Sequence, residues 1–182
     1  MKKTTRILLT LGVALAAAGA GILAARSLGD HRGSETPAVA EATAALLALE
    51  LPDSDDRPQA LAQWRGKIIV ANFWATWCPP CRKEIPDFAA VSRDFAAQPV
   101  QFVGISIDHA DSVKAFALEH DVPYPLLIAG PQVLDLASGF GNAAQGLPFT
   151  VIIDRDGQAR HIKLGTLNRS ELEGKIRALL PQ

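Results

Sequence analysis

Sulfur chemistry is confined to one spot in this chain. Two cysteines stand in 182 residues, Cys78 and Cys81, and no other side chain can form a disulfide. A framework of several structural disulfides is therefore excluded. A surplus of charge is missing as well. Eighteen basic side chains against nineteen acidic ones leave a net charge of −1. That provides no basic footprint, and no nucleic-acid partner is expected. No internal repeat appears, so the chain is not a repeat array. His109, His120 and His161 show no paired spacing. With two cysteines they spell out at most half a zinc site, and no metal-ligand set is expected. A purely structural Cys78–Cys81 bridge would gain little, because a two-residue loop offers little entropic stabilisation.

What the chain does have is a long apolar start. Lys2, Lys3 and Arg6 precede a run from Ile7 to Ala25, broken only by Thr10 and glycines and closed by Arg26. At ~1.5 Å per residue a helix over this run nearly crosses a hydrocarbon core ~30 Å thick. Residues 1–26 are read as an uncleaved membrane anchor, with the basic flank inside. A cleaved signal peptide is the alternative, with Ala18-Gly19-Ala20 as a small-residue site. A buried soluble helix is disfavoured, since no polar face appears. Both leading readings export the rest of the chain. No cysteine follows the run, so lipid attachment through a thiol has no candidate. Residues 27–45, rich in Gly, Ala, Ser, Thr, Glu and Pro, read as a linker with helical tendency near Glu41 to Leu47. Residues 46–182 have the size of one domain with one core.

Within that domain, Leu47–Leu51 and Gln59–Leu61 read as a hairpin around an Asp- and Pro-rich turn. Ile68 to Trp74 is an almost unbroken apolar strand, as a position buried on both faces requires. A helix is expected from the Cys78 region to about Ala97, with Ile85, Phe88, Ala89 and Phe95 at helical spacing. A strand over Val100–Ile107 follows. Then come a helix over Asp108–His120 capped near Asp111 or Ser112, a strand over Leu126–Ala129, and a helix over Gln132–Phe140. Strands over Pro148–Asp154 and Gln158–Leu164 flank a turn at Arg155-Asp156-Gly157. A last helix spans Ser170–Leu180, with Ser170 and Glu173 as a capping box. The order predicts an α/β fold: a mixed central sheet flanked by helices, with an N-terminal hairpin.

The stretch Val70-Ala71-Asn72-Phe73-Trp74-Ala75-Thr76-Trp77-Cys78-Pro79-Pro80-Cys81-Arg82-Lys83-Glu84-Ile85-Pro86 resembles the thioredoxin superfamily, and within it the membrane-anchored TlpA/ResA-like branch. Gly146-Leu147-Pro148-Phe149-Thr150 looks like that family's cis-proline loop. Asp108–Gly130 looks like the insert this branch carries between central strands. The likeness covers roughly residues 47–180. It implies a thioredoxin-like fold with a central insert and a cis bond before Pro148.

It also implies roles. Cys78 is the attacking thiol and Cys81 resolves the mixed disulfide. A helix N-terminus lowers a thiol pKa, which favours Cys78 as thiolate. Pro79 and Pro80 lack N–H groups, so two donors that could solvate that thiolate are missing; Pro79 also suits helix initiation in its own right. Glu84, three residues after Cys81, can share a face with it. There it disfavours a nearby thiolate and can shuttle a proton. The position of Asn72 holds a titrating Asp in thioredoxins proper; here it reads first as a capping or loop-bonding amide. Trp77, Leu147 and Pro148 are expected at the substrate surface, Leu147 through its backbone. Trp74 is expected in the core, and Pro86 as a kink.

The resemblance makes the protein a thiol–disulfide oxidoreductase outside the cytoplasm. It would reduce client proteins that carry cysteine pairs, by analogy those of cytochrome c or copper-oxidase assembly, and a membrane thiol relay would re-reduce it. No cofactor is implied beyond the redox-active Cys78–Cys81 disulfide. The proline pair and Glu84 both point to a reducing potential, nearer about −270 mV than about −120 mV. Two readings stand beside this one. A metal-binding or metallochaperone module would use the same cysteines. A peroxiredoxin-like peroxidase would fit Gly104-Ile105-Ser106-Ile107-Asp108, but it expects a Thr where Ala75 stands and a Pro upstream, which is absent.

Overall fold

The computed structural model describes residues 35–181. The apolar run and the choice between anchor and signal lie outside them. No helix among the described residues is long and apolar enough to cross a membrane.

Helix α1 (Pro37–Leu47) opens the described chain and leads into a hairpin of β1 (Glu50–Pro52) and β2 (Pro58–Ala60). A short 3-10 turn (Leu61–Trp64) then enters β3 (Ile68–Trp74). After it come α2 (Pro79–Asp94), β4 (Val100–Ser106), α3 (Ala110–Glu119), β5 (Leu126–Ile128) and α4 (Val133–Gly139). The chain closes with β6 (Phe149–Ile153), β7 (Ala159–Leu164) and α5 (Arg169–Arg177).

The main sheet has the order β5-β4-β3-β6-β7. β3, β4 and β5 run parallel, while β6 opposes β3 and β7 opposes β6. The apolar run of β3 explains its central place, since every residue from Ile68 to Trp74 is buried. Alternate side chains serve two cores. Ile68, Val70 and Trp74 join Ile85 and Phe88 of α2, Phe116 of α3 and Leu172 and Ile176 of α5. Ile69, Ala71 and Phe73 join Leu46 and Leu47 of α1, Leu61 and Trp64, and Val133 and Ala137 of α4. The expected mixed sheet with helices on both faces is present.

Three local expectations change. The linker expected over residues 27–45 ends sooner, because α1 starts at Pro37 and belongs to the domain. Its Ala42, Thr43, Leu46 and Leu47 are buried. Its alanines look like linker composition, but Ala42 packs so closely on Gly139 of α4 that a Cβ there would lie 2.8 Å from the Ala42 Cβ. The capping box of α5 is formed by Asn168 and Glu171, not Ser170 and Glu173. Glu173 instead pairs with Arg169 at 2.8 Å. In α3 the N-cap is His109, with no side-chain bond, rather than Asp111 or Ser112. The Asp108 side chain just before it is turned towards Thr76 instead.

Gly104 of β4 lies beneath Trp74. A Cβ there would meet the Trp74 Nε1 at 2.9 Å and the Leu126 Cδ2 at 2.5 Å. Gly104→Ala is expected to cost about 1–3 kcal/mol by overpacking, read from urea denaturation. An unchanged midpoint would show that Leu126 moves aside freely.

Candidate active site

β3 delivers its carboxyl end directly into the cysteine pair. Ala75, Thr76 and Trp77 turn the chain, and Cys78 becomes the N-cap of α2. Beside the backbone bond from the Cys78 N–H to the Ala75 carbonyl at 3.2 Å, two side-chain contacts hold this turn. The Thr76 hydroxyl bonds to the Asp108 carboxylate in a short contact, and Arg82 Nη1 donates to the Thr76 carbonyl at 3.4 Å. Burial works against the Asp108 charge. The Thr76 hydrogen bond and the His109 N–H outweigh it, and the carboxyl stays below its usual range.

Cys78 and Cys81 are bonded to each other, with Cα atoms 5.3 Å apart. Both are buried, at 4% and 0% exposure. Pro79 and Pro80 occupy the first two helical positions, so neither offers an N–H. The Cys81 N–H, one position on, is directed at the Cys78 Sγ at 3.4 Å. Part of the helix N-terminal field thus reaches the sulfur, but only through the third amide of the turn.

Glu84 lies one turn further along α2 and is buried. Its Oε1 accepts from Asn72 Nδ2 at 2.8 Å and its Oε2 from the Leu167 N–H at 2.9 Å. The Asn72 amide also donates to Thr150 Oγ1 at 3.0 Å. Burial pushes the carboxyl up to about 7, and the Asp87 charge adds to the rise; the two N–H donors only partly offset it. The separate readings of Asn72 as an amide and Glu84 as an acid converge here, because the amide binds the acid.

The Leu147–Pro148 peptide bond is cis, as the resemblance implies. Leu147 is partly buried and packs on the core cluster that contains both cysteines. Pro148 is buried, and its carbonyl accepts the Gly165 N–H at 2.9 Å. Trp77 is 64% exposed beside Cys78, whereas Trp74 is fully buried. Pro86 sits inside α2.

Three contributors were not singled out from sequence. Asn142 is buried and clips the loop before Leu147, donating to the Gly146 carbonyl at 2.9 Å and accepting its N–H at 3.0 Å. Thr150 and the Leu167 backbone complete the Glu84 environment. Gly141-Asn142 after a helix is a turn signal, yet nothing in the residue string points that amide at residue 146. Ala75 is fully buried and supplies no hydroxyl beside the pair. Among the described residues no group of three or more His, Cys, Asp or Glu side chains is placed to hold a metal ion.

This fold, with a bridged cysteine pair at the carboxyl end of its central strand, defines a thioredoxin-like thiol–disulfide oxidoreductase. Comparison with known proteins agrees. The sequence profile of the AhpC/TSA family matches residues 43–162. The chain is 29% identical over 132 residues to the thiol-disulfide oxidoreductase ResA of Geobacillus thermodenitrificans, covering 72% of this chain and 74% of that one. It is 32% identical over 124 residues to the thioredoxin-like protein YneN of Bacillus subtilis, covering 64% and 68%. The crystal structure of a thiol:disulfide interchange protein of the thioredoxin family from Chlorobium tepidum superposes with a TM-score of 0.67 at 29% identity, covering 73% and 93%. The chain belongs to the AhpC/TSA family of thioredoxin-like proteins, on its ResA-like side.

The raised affinity of Glu84 for a proton sets a sign for stability. The folded state binds this proton more tightly than the unfolded chain, whose carboxyl titrates near 4.5. Its stabilising effect is complete below pH 4.5 and is lost as pH rises through about 7. The oxidised protein is expected to lose at most about 3.5 kcal/mol across that window, measured by urea denaturation at several pH values. Glu84→Gln should flatten the slope. An equally steep slope in the variant would assign the effect to another group.

Proposed function

We propose that this protein is a protein-disulfide reductase working outside the cytoplasm, tethered to the membrane by residues 7–25 (anchor within 1–26, linker up to α1, catalytic domain thereafter). The observation that carries the direction is the pairing of a donor-poor helix start with a buried acid. Pro79 and Pro80 withhold two amides from the Cys78 sulfur. Glu84 titrates near 7, so close to neutrality part of it is ionised, and that charge opposes a thiolate beside it and can take up a thiol proton. Both disfavour an isolated thiolate, so the dithiol gives up its electrons readily.

In this reading Cys78, as thiolate, attacks one sulfur of a client disulfide. The client S–S bond breaks, a Cys78–client bond forms, and the released client thiolate takes up a proton. Glu84 then accepts the Cys81 proton. The Cys81 thiolate attacks the Cys78 Sγ, and the second client sulfur leaves and is protonated in turn. Two electrons and two protons have moved to the client, and the Cys78–Cys81 bridge is the state seen here. Trp77 offers an exposed apolar face to the client, and the Leu147 backbone beside cis-Pro148 offers hydrogen bonds to an extended strand. No cofactor enters this cycle.

The client class follows from the ResA-like kinship: apocytochrome c haem-binding cysteines or copper-site cysteines of an oxidase. A membrane thiol relay returns the electrons. Support for an exported location comes from the basic flank and apolar run at the N-terminus. The peroxidase reading is weakened by Ala75, which lacks the hydroxyl that chemistry expects.

Equilibration of the pair with a glutathione redox series is expected to give a potential near about −270 mV. A value above about −180 mV, the range of protein disulfide isomerase, would reverse the proposed direction. Cys81→Ala leaves Cys78 free with nothing to resolve it. In the native envelope this variant should accumulate a mixed disulfide with its client, identified by mass spectrometry after non-reducing separation. No adduct, with Cys78 intact and reactive, would remove the attacking role from Cys78.

A further inference from the structure

The end of the sheet opposite the cysteines carries a feature that the exchange reaction does not use. β6 opposes β3 with Ile153 beside Ile69, so the turn after β6 lies at the amino end of β3, a strand length of about 20 Å from Cys78. A cavity of about 170 Å³ opens there, lined among others by Arg65, Lys67, Arg155, Asp154 and Asp156. Arg65, Lys67 and Arg155 are exposed, and none forms an ion pair among the described residues. Arg155 is held in place by donating to the Gly66 carbonyl at 3.1 Å. Asp154 is neutralised by Arg160, which leaves Asp156 as the one lining carboxylate without an ion pair among the described residues. The cavity is therefore net cationic.

The chain enters the domain at this same end. Glu35, the first described residue, accepts the Ala159 N–H at 2.8 Å, just past the turn that lines the cavity. Leu47, at the end of α1, forms another wall. Only Ser27 to Ser34 separate Glu35 from Arg26 at the close of the apolar run. Fully extended, those residues span at most about 30 Å.

We infer that this cationic end docks on anionic phospholipid headgroups, with Arg65, Lys67 and Arg155 receiving the phosphates. The inference rests on the tethered reading above. Basic side chains near an anionic leaflet each add about fivefold in affinity, and salt screens them. Docked in this way, the domain turns Cys78 away from the bilayer and towards clients in the aqueous compartment. A re-reducing partner must then present its thiol beyond the membrane surface.

The test uses the full chain in vesicles of phosphatidylcholine, with or without phosphatidylglycerol, and mass-spectrometric mapping of amine acylation. Lys67 should label at least about fivefold more slowly with phosphatidylglycerol, while exposed Lys83 beside the cysteines stays unchanged. High salt should abolish the difference. Arg65→Gln, whose side chain makes no hydrogen bond among the described residues, should reduce it without loss of fold; Arg65→Gln/Arg155→Gln should remove most of it. Equal labelling of Lys67 in both vesicles would overturn the proposal. So would equal protection of Lys83, or protection of Lys67 by inorganic phosphate with pure phosphatidylcholine vesicles, which would make this a soluble-anion site. Flotation with neutral vesicles and disulfide reduction by the same preparation report separately on the tether and on the activity.

Discussion

A single buried carboxylate ties the parts of this molecule together. Glu84 sits on α2, receives one hydrogen bond from Asn72 on β3 and one from the Leu167 amide ahead of α5. Through Asn72 it is joined to Thr150 on β6. No cation pairs with it among the described residues, so its charge is opposed by burial and eased only by N–H dipoles. That balance matters. A paired lysine would keep the group permanently ionised, and no donors at all would keep it permanently protonated. Two donors in a dry site leave it near the pH at which a thiol must give up a proton. The same contacts bring the active-site helix, the central strand and the closing helix to one point, so stability and proton affinity are set together.

The start of α2 adds a second constraint. A helix N-terminus ordinarily surrounds an anion with several free amides. Here Pro79 and Pro80 remove two of them, and the Cys81 amide is the one directed at the Cys78 sulfur. The prolines still stabilise the helix start, because their fixed φ suits it. Local structure and redox chemistry are thus separable at these positions. The helix begins firmly while the sulfur gains less than it would from an open first turn.

Much of this was legible in the residue string. β3 declared itself through six apolar residues around Asn72, and the cysteine spacing after it marked the candidate site. Signals that depend on tertiary partners were harder to read. Asn168 and Ser170 are both good caps, and what distinguishes them is where the chain leaves β7, which composition does not carry. Ala42 looked like linker filler because the reason for its size is Gly139, almost a hundred residues away. Asn72 read as an ordinary amide because its partner is twelve residues on, across a strand and a helix turn. Asn142 carries no signal in the residue string for the same reason: its effect on the cis-proline loop comes from a clip on Gly146 that only the folded turn creates.

The sheet itself divides the molecule's tasks. Because β3 and β6 are antiparallel, the carboxyl end of one and the amino end of the other meet at the cysteine pair and the cis-proline loop. The remaining ends meet where the described chain enters. The cysteine pair and the entry of the described chain are thereby kept a strand length apart by the central sheet. For the tethered enzyme proposed above, such a separation would favour clients that arrive from solution over partners lying flat in a bilayer. On that same proposal, a reductant drawing its electrons from the membrane would reach across the domain's height, or the domain would turn over to meet it. Under the docking proposal, the choice between these depends on how strongly Arg65, Lys67 and Arg155, which line the cavity at the far end, hold that end to headgroups.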